Sequence, residues 1–321
     1  MIELINPHDL FFKGIFSQHE AAADFLRYYL PSDVSSLFDY SSMQMVKDSF
    51  VDQELREHFS DLLYQIRLLD GRGAYVYVLF EHKSYPDAWI AFQLLRYMVR
   101  IWEYAQRRGE KLAPIFPVVV YHGEAEWHVG RKFHDFLDLP EPFKSYVPEF
   151  QYFLCDLSQY DDEEIKGGIL LHASLLVLKY IFHEDLLQHL PGIFALFHKI
   201  SARERAIEWL EIFLRYLISA GSKLNKQDLK EVVTTAFPEG DVTMSTIAQQ
   251  LIDEGFQKGI QQGIRQGVLD AIELGLELKF GEKGLRELPE IRKIENIDML
   301  HAIRQAIKKV RTIDELRRIY R

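Results

Sequence analysis

Residues 61–83 read Asp61-Leu-Leu-Tyr-Gln-Ile-Arg-Leu-Leu-Asp-Gly-Arg-Gly-Ala-Tyr-Val-Tyr-Val-Leu-Phe-Glu-His-Lys83, and this stretch decides the architecture. Its opening run alternates apolar and polar residues and predicts a strand. Asp70-Gly71-Arg72-Gly73 is turn chemistry, because glycine tolerates the positive φ that tight hairpins need. Ala74 to Phe80 is rich in Val and Tyr and predicts a second, largely buried strand. Asp61 opens the first strand, and Glu81 and Lys83 close the second. In an antiparallel hairpin those two ends lie side by side.

Side chains two apart on a strand share a face, so Glu81 and Lys83 point one way and His82 the other. Two carboxylates converging on one point suit Mg²⁺ or Mn²⁺, and also Ca²⁺, hard cations that prefer oxygen ligands. Such a cation polarises a phosphoryl oxygen and helps generate hydroxide. A lysine beside it orients the attacking water or stabilises charge on the phosphorane. The same residue types also make ordinary solvated strand ends. Further on, Pro86-Asp87 suits a helix start, and Trp89 to Arg107 has helical periodicity. Gln93 and Tyr97 are four apart and share one face. Alone, that pair reads equally as a polar contact beside a core aromatic.

In this order, Asp61, Glu81-x-Lys83 and Gln93-x-x-x-Tyr97 resemble the PD-(D/E)XK nuclease superfamily, including the Gln-x-x-x-Tyr extension of its RecB-like members. One branch is more similar still. Pro7-His8-Asp9-Leu-Phe-Phe12-Lys13, Phe80-Glu-His-Lys-Ser84, Phe92-Gln-Leu-Leu-Arg-Tyr97 and Pro117-Val-Val-Val-Tyr-His-Gly123 resemble the Rpn/YhgA-like family of recombination-promoting nucleases and transposase-like proteins. The likeness covers residues 5 to about 160 well and the rest more loosely. Ser60 stands where the superfamily name has proline, and Lys83 where many members of the branch carry glutamine. The resemblance implies an αβββαβ core and Mg²⁺-dependent cleavage of DNA phosphodiesters. Asp61 and Glu81 would bind the metal, Lys83 would position water, and Gln93 and Tyr97 would orient Lys83 or the phosphate. Asp9 would be an additional acidic residue near the metal, although it equally complements a helix N-terminus. Lys13, one turn on, would reach a phosphate.

Net charge is the main objection to a DNA partner. The chain stands at −10, whereas DNA-binding surfaces are usually basic. The charge is uneven: residues 251–321 hold 14 Lys/Arg against 12 Asp/Glu, and the remainder 24 against 36. Arg96 and Arg100 are one turn apart and suit a phosphate backbone, or an ordinary charged helix face. Hydrophobic residues at 48% supply a globular core and argue against disorder. A single cysteine, Cys155, excludes an internal disulfide and a cysteine-based zinc site. With no basic-then-apolar leader and no long apolar window, the expectation is a soluble cytoplasmic protein without a membrane partner.

The remaining chain extends this plan. Pro7 to Leu30 reads as one amphipathic helix, Pro114 to Tyr121 and Phe150 to Leu157 as strands, and Lys47 to Asp52 as a strand and turn holding Asp48 and Asp52. His122 closes a central strand, a position that serves catalysis or, more often, structure. From Ile165 the pattern is helical. The expected fold is therefore α/β, a PD-(D/E)XK core over residues 1–163, with a helical extension at 164–240 and a C-terminal helical region at 241–321. That last region repeats Gly255, Gly259, Gly263 and Gly267. A glycine inside a helix costs about 1 kcal/mol, so the ladder predicts close approach of a second helix, within the chain or between copies in a homo-oligomer. Ile297 to Tyr320 reads as a final helix whose Arg317, Arg318 and Arg321 contact DNA or stay solvated. Phosphate-cradling and dinucleotide glycine loops are absent, as are a nucleophile elbow and His-Glu-x-x-His. The favoured function is a metal-dependent DNA endonuclease. The alternative is a catalytically weak assembly factor that binds DNA or protein through the same fold.

Overall fold

A computed structural model of the protein describes residues 6–46, 62–79, 86–220, 224–237 and 242–320. The hairpin forms as its sequence dictates. Strand β2 (Leu62–Leu68) pairs antiparallel with β3 (Gly73–Leu79), in a register running from Leu62↔Val78 to Arg67↔Gly73. Gly71 turns the chain with φ +83° and donates its N–H to the Leu68 carbonyl at 2.9 Å. An additional strand, β1 (Phe38–Met45), lies outside β2. The sequence reading missed it because it is bulged. Phe38 and Met43 are both buried although five apart, since the register shifts between Asp39 and Gln44.

Strands β4 (Val118–Tyr121) and β5 (Phe153–Asp156) complete a five-stranded sheet in chain order, with β3, β4 and β5 mutually parallel. Both strands are shorter than their apolar runs. All four residues of β4 are buried, the mark of a strand covered on both faces. Val119, Tyr121 and Leu154 face the helix over Ile90–Arg107, which buries Ile90, Leu94, Tyr97 and Ile101 against them. On the other face, the Tyr64 hydroxyl donates to the Phe16 carbonyl.

The expected single helix over Pro7–Leu30 is two, α1 (Pro7–Phe16) and α2 (His19–Tyr29). Ser17 ends the first, its N–H bonded to the Lys13 carbonyl, and Gln18 is extended (ψ 118°), which redirects the chain. Asn6 caps α1 through its side chain, and Pro7 occupies the first turn, where a missing N–H costs nothing. A one-turn helix α3 (Ser32–Ser35) follows, so the helix facing β4 is α4 (Ile90–Arg107).

Beyond the sheet come α5 (Ile169–Tyr180), α6 (Leu186–Ala195), α7 (Arg203–Ser219) and α8 (Lys226–Ala236). Helix α5 is apolar almost all round, with nine of its residues buried. Helix α7 packs on α1, with the Phe11 ring stacked on Tyr216 (centroids 4.1 Å) and edge-on to Phe213 (5.1 Å). The sheet and these helices belong to one compact unit ending at Leu251. An ionic lock ties the segment before α5 to that helix: Asp162 accepts from Lys179 Nζ at 2.6 Å and from the Tyr180 hydroxyl at 2.8 Å.

Residues from Ile252 onward form a second unit. Helix α9 (Val242–Phe280) runs into it and ends at Gly281, whose φ of +59° stops the helix. Short helices α10 (Glu282–Leu285) and α11 (Leu288–Ile291) lead to α12 (Ile297–Lys309) and α13 (Ile313–Tyr320), so the expected last helix is also two. Their core joins Ile272, Leu276, Ile291, Leu300, Ile303 and Leu316. Arg317 keeps part of its side chain in solvent but is engaged within the unit. It holds the buried Glu287 carboxylate in a two-pronged bond, and the Tyr320 hydroxyl adds a third at 2.7 Å. Within this unit nothing comes within 4 Å of a Cβ placed on Gly259, Gly263 or Gly267. The close approach falls instead at Gly275, where Ile307 of α12 would lie 3.2 Å from a Cβ.

Cys155 is fully buried on β5, and burial pushes its thiol well up despite a hydrogen bond with Tyr160. Native protein is therefore expected to be inert to Ellman's reagent at pH 8 and to react with one equivalent once unfolded in guanidinium. For Asp162, burial alone would raise the carboxyl, but the bonds from Lys179 and Tyr180 outweigh it and hold it below the usual range. Its stabilisation is present above the unfolded value of about 3.9 and is lost as pH falls through the lower folded value. Asp162→Asn is expected to cost about 1 kcal/mol in urea unfolding at pH 7, a difference that shrinks below pH ~4.

Candidate functional site

The open end of the hairpin organises the site. Leu62 pairs with Val78, so the start of β2 and the finish of β3 leave the ladder together. Leu79 pairs in parallel with Val119, which brings the end of β4 alongside. Asp61, Glu81, His82 and Lys83, as well as Asp48 and Asp52, lie outside the described residues. What is described is the strand end and the helices packed beside it.

Helix α4 supplies one wall. Gln93 and Tyr97 share a face, as their spacing requires, with Gln93 half-buried and Tyr97 at 3% exposure inside the apolar cluster under the sheet. Gln93 Nε2 donates to Asp87 Oδ2 at 3.1 Å, while Asp87 Oδ1 accepts the Trp89 N–H at 2.8 Å. Asp87 thus begins the helix and holds the amide at once. The sequence reading recognised only the first role, because Asp-x-x at a helix start signals a cap whatever else it touches. Among the described residues, Gln93 Oε1 is buried without a hydrogen-bond partner. Arg96 and Arg100 are exposed on the outer face. Arg100 pairs with Glu103 at 2.9 Å, and Arg96 forms no ion pair among the described residues.

Helix α1 carries Asp9 in its first turn and Lys13 in its last, both half-buried. Asp9 therefore complements the helix N-terminus, the structural half of its expected role. Next to it, His8 Nδ1 meets the Tyr216 hydroxyl at 2.7 Å, and its ring lies 5.6 Å from that of His122. His122, 2% exposed at the end of β4, stacks on Phe182 with rings 10° apart. The structure so joins two histidines 114 positions apart with a tyrosine of α7, a cluster that no local pattern announces. Gly123 follows because a Cβ there would overlap the Tyr121 ring.

No group of three or more His, Cys, Asp or Glu side chains converges as a metal site among the described residues. Of the expected metal residues only Asp9 is described; the oxygen donors of Asp61, Glu81 and Asp9 suit a hard cation by their chemistry. No described helix is long and apolar enough to cross a membrane.

A mixed sheet covered by helices, with His8 of α1 brought against His122 just past β4, defines an α/β protein whose candidate site is that strand end. The model of the family described as "Putative transposase, YhgA-like" matches residues 6–208, and the chain belongs to that family. It is 30% identical over 254 residues to Recombination-promoting nuclease RpnA of Escherichia coli (strain K12), covering 78% of this chain and 85% of that protein. Recombination-promoting nuclease RpnD of Escherichia coli O157:H7 is 30% identical over 252 residues, 76% of this chain and 94% of that protein. The K12 strain also has a relative named as an inactive recombination-promoting nuclease-like protein, RpnE, 28% identical over 254 residues, 78% of this chain and 83% of that protein. No solved structure matches the chain.

Asp87→Ala removes the bond that starts α4 and the one that holds Gln93. It is expected to lower the urea unfolding free energy by about 1 kcal/mol.

Proposed function

We propose that this protein is a metal-dependent DNA endonuclease with a PD-(D/E)XK core, acting in recombination or on mobile elements. The observation that carries the reading is the hairpin register, which puts Leu62 and Val78, the first residue of β2 and the last residue of β3 that pairs with it, side by side at one end of the sheet. Family membership and the names of the relatives support it. Asp61 and Glu81, with Asp9, would hold Mg²⁺, with Mn²⁺ or Ca²⁺ as substitutes. Bound there, the cation would supply charge for the phosphoryl oxygen and lower the pKa of water. Lys83 orients the attacking water and offsets developing negative charge. Gln93 and Tyr97, set in the wall of α4, fix the position of Lys83 or of the scissile phosphate, and Lys13 and Arg96 hold the flanking backbone.

Two observations favour a second reading, in which the fold serves as a DNA- or protein-binding platform. Two relatives are named as inactive, and the chain carries a net charge of −10. The exposed Gly259, Gly263 and Gly267, with Ile260 and Ile264 beside them at 55% and 48% exposure, support self-association through α9 under either reading.

The test is nicking of supercoiled plasmid by purified protein with Mg²⁺, Mn²⁺ or Ca²⁺. Cleavage is expected to stop with EDTA and to fall by about a hundredfold or more in Asp61→Ala and in Lys83→Ala. Equal inactivity of wild type and variants, with DNA binding intact, would establish the platform. Activity that survives both changes would remove these residues from the mechanism.

A further inference from the structure

The outer face of α4 carries a feature that neither helix formation nor the core explains. Trp89 stands at the position before the helix, where Ser, Thr, Asp or Asn is favoured, and its side chain caps nothing. Asp87 does that work. Trp89 is nevertheless 60% exposed, and Phe92, one turn on, is 42% exposed. Phe136, from the turn over Phe133–Phe136, completes a group of three rings: it lies 4.9 Å from Trp89 and 6.3 Å from Phe92, nearly parallel to the latter at 14°. Large exposed aromatics in contact with one another lose hydrophobic stabilisation that burial would supply, and commonly mark a binding surface.

The charge beside these rings selects the partner. Trp89, Phe92, Arg96 and Arg100 fall at helical spacing on one exposed stripe. Arg96 sits about one turn (~5.4 Å) beyond Phe92 and forms no ion pair among the described residues. Arg131 and Lys132, which lead into the Phe136 turn, are exposed and likewise form none, while Asp135 turns back to accept the Lys132 N–H at 3.1 Å. Rings interleaved with cations that form no ion pair among the described residues fit a strand whose bases alternate with phosphates. In a duplex the base faces are already stacked on each other, so only unpaired nucleotides offer a face to a tryptophan. The stripe also borders Gln93, on the boundary between the outer and buried sides of the same helix.

We propose that Trp89, Phe92 and Phe136 form a base-stacking platform, with Arg96 as its phosphate contact, so that the protein engages single-stranded or locally unpaired DNA in preference to intact duplex. This deepens the nuclease reading and rests on it for the identity of the substrate.

The test measures fluorescence anisotropy of the full chain, in EDTA, with a labelled 20-nucleotide single strand and with a blunt duplex of the same sequence. Wild type is expected to bind the single strand about tenfold more tightly or better. Trp89→Ala combined with Phe92→Ala is expected to weaken single-strand binding by about tenfold or more and to change duplex binding by less than about twofold, while Trp89→Phe retains most of the affinity. Both side chains are exposed, so folding is not at risk, and circular dichroism verifies it. Equal affinity of wild type and double variant for the single strand overturns the platform, as does a parallel loss for duplex. So does a change in sedimenting size with DNA binding unaltered, which assigns the rings to a protein contact. Metal-dependent nicking without single-strand preference ends this inference and leaves the nuclease reading standing. Absence of both cleavage and DNA binding in wild type ends both.

Discussion

The parallel pairing of β3 with β4 is the constraint on which the rest of the molecule depends. Antiparallel neighbours can be joined by a two-residue turn, but a parallel pair needs a long crossover, and that crossover must travel over a face of the sheet. Here it includes α4, which buries Ile90, Leu94, Tyr97 and Ile101 under β4 and β5. One side of α4 is thereby committed to the core and the other to solvent. Gln93 falls on the border between them. The aromatic and arginine stripe is what remains outside once the apolar side has been placed.

The second face of the sheet is closed by α1, and α1 is in turn held by α7. The contacts are aromatic: Phe11 between Tyr216 and Phe213, and His8 against Tyr216, His122 and Phe182. A stacked ring pair adds about 0.5–1.5 kcal/mol beyond its buried area. The helices after the sheet therefore do more than extend the chain. They fix the N-terminal turn that carries His8 and Asp9 relative to the end of β4. Asp162 and Lys179 secure the same arrangement from the far end of α5, as a largely buried lysine matched by a carboxylate and a tyrosine hydroxyl.

The C-terminal unit shows small-residue packing at a place the repeat does not indicate. Regular spacing made Gly255 to Gly267 conspicuous, yet Gly275 is the position at which α12 comes close enough to exclude a larger side chain without adjustment. Spacing reveals that glycines share a stripe. It says nothing of which stripe faces a neighbour, because that depends on where α12 returns across α9. Arg317 makes the same point. A cluster of arginines in a terminal helix reads as a basic surface until the fold supplies a buried Glu287 for one of them.

By itself the sequence determined the elements whose signal is local. The β2–β3 hairpin follows from alternation and from Gly71, α4 from its periodicity, and the family from motifs quoted in order along the chain. Side-chain period and turn chemistry act over a few residues, so they are legible in one. The tertiary structure alone decided the rest: the bulged β1, the break after Phe16, the dual use of Asp87, the meeting of His8 with Tyr216 and His122, and the exposure of Trp89 beside Phe136. Each of these depends on which surfaces are brought together across long separations. Burial and hydrogen bonding are satisfied over the whole fold, and a residue's local pattern carries no record of the partner that completes it.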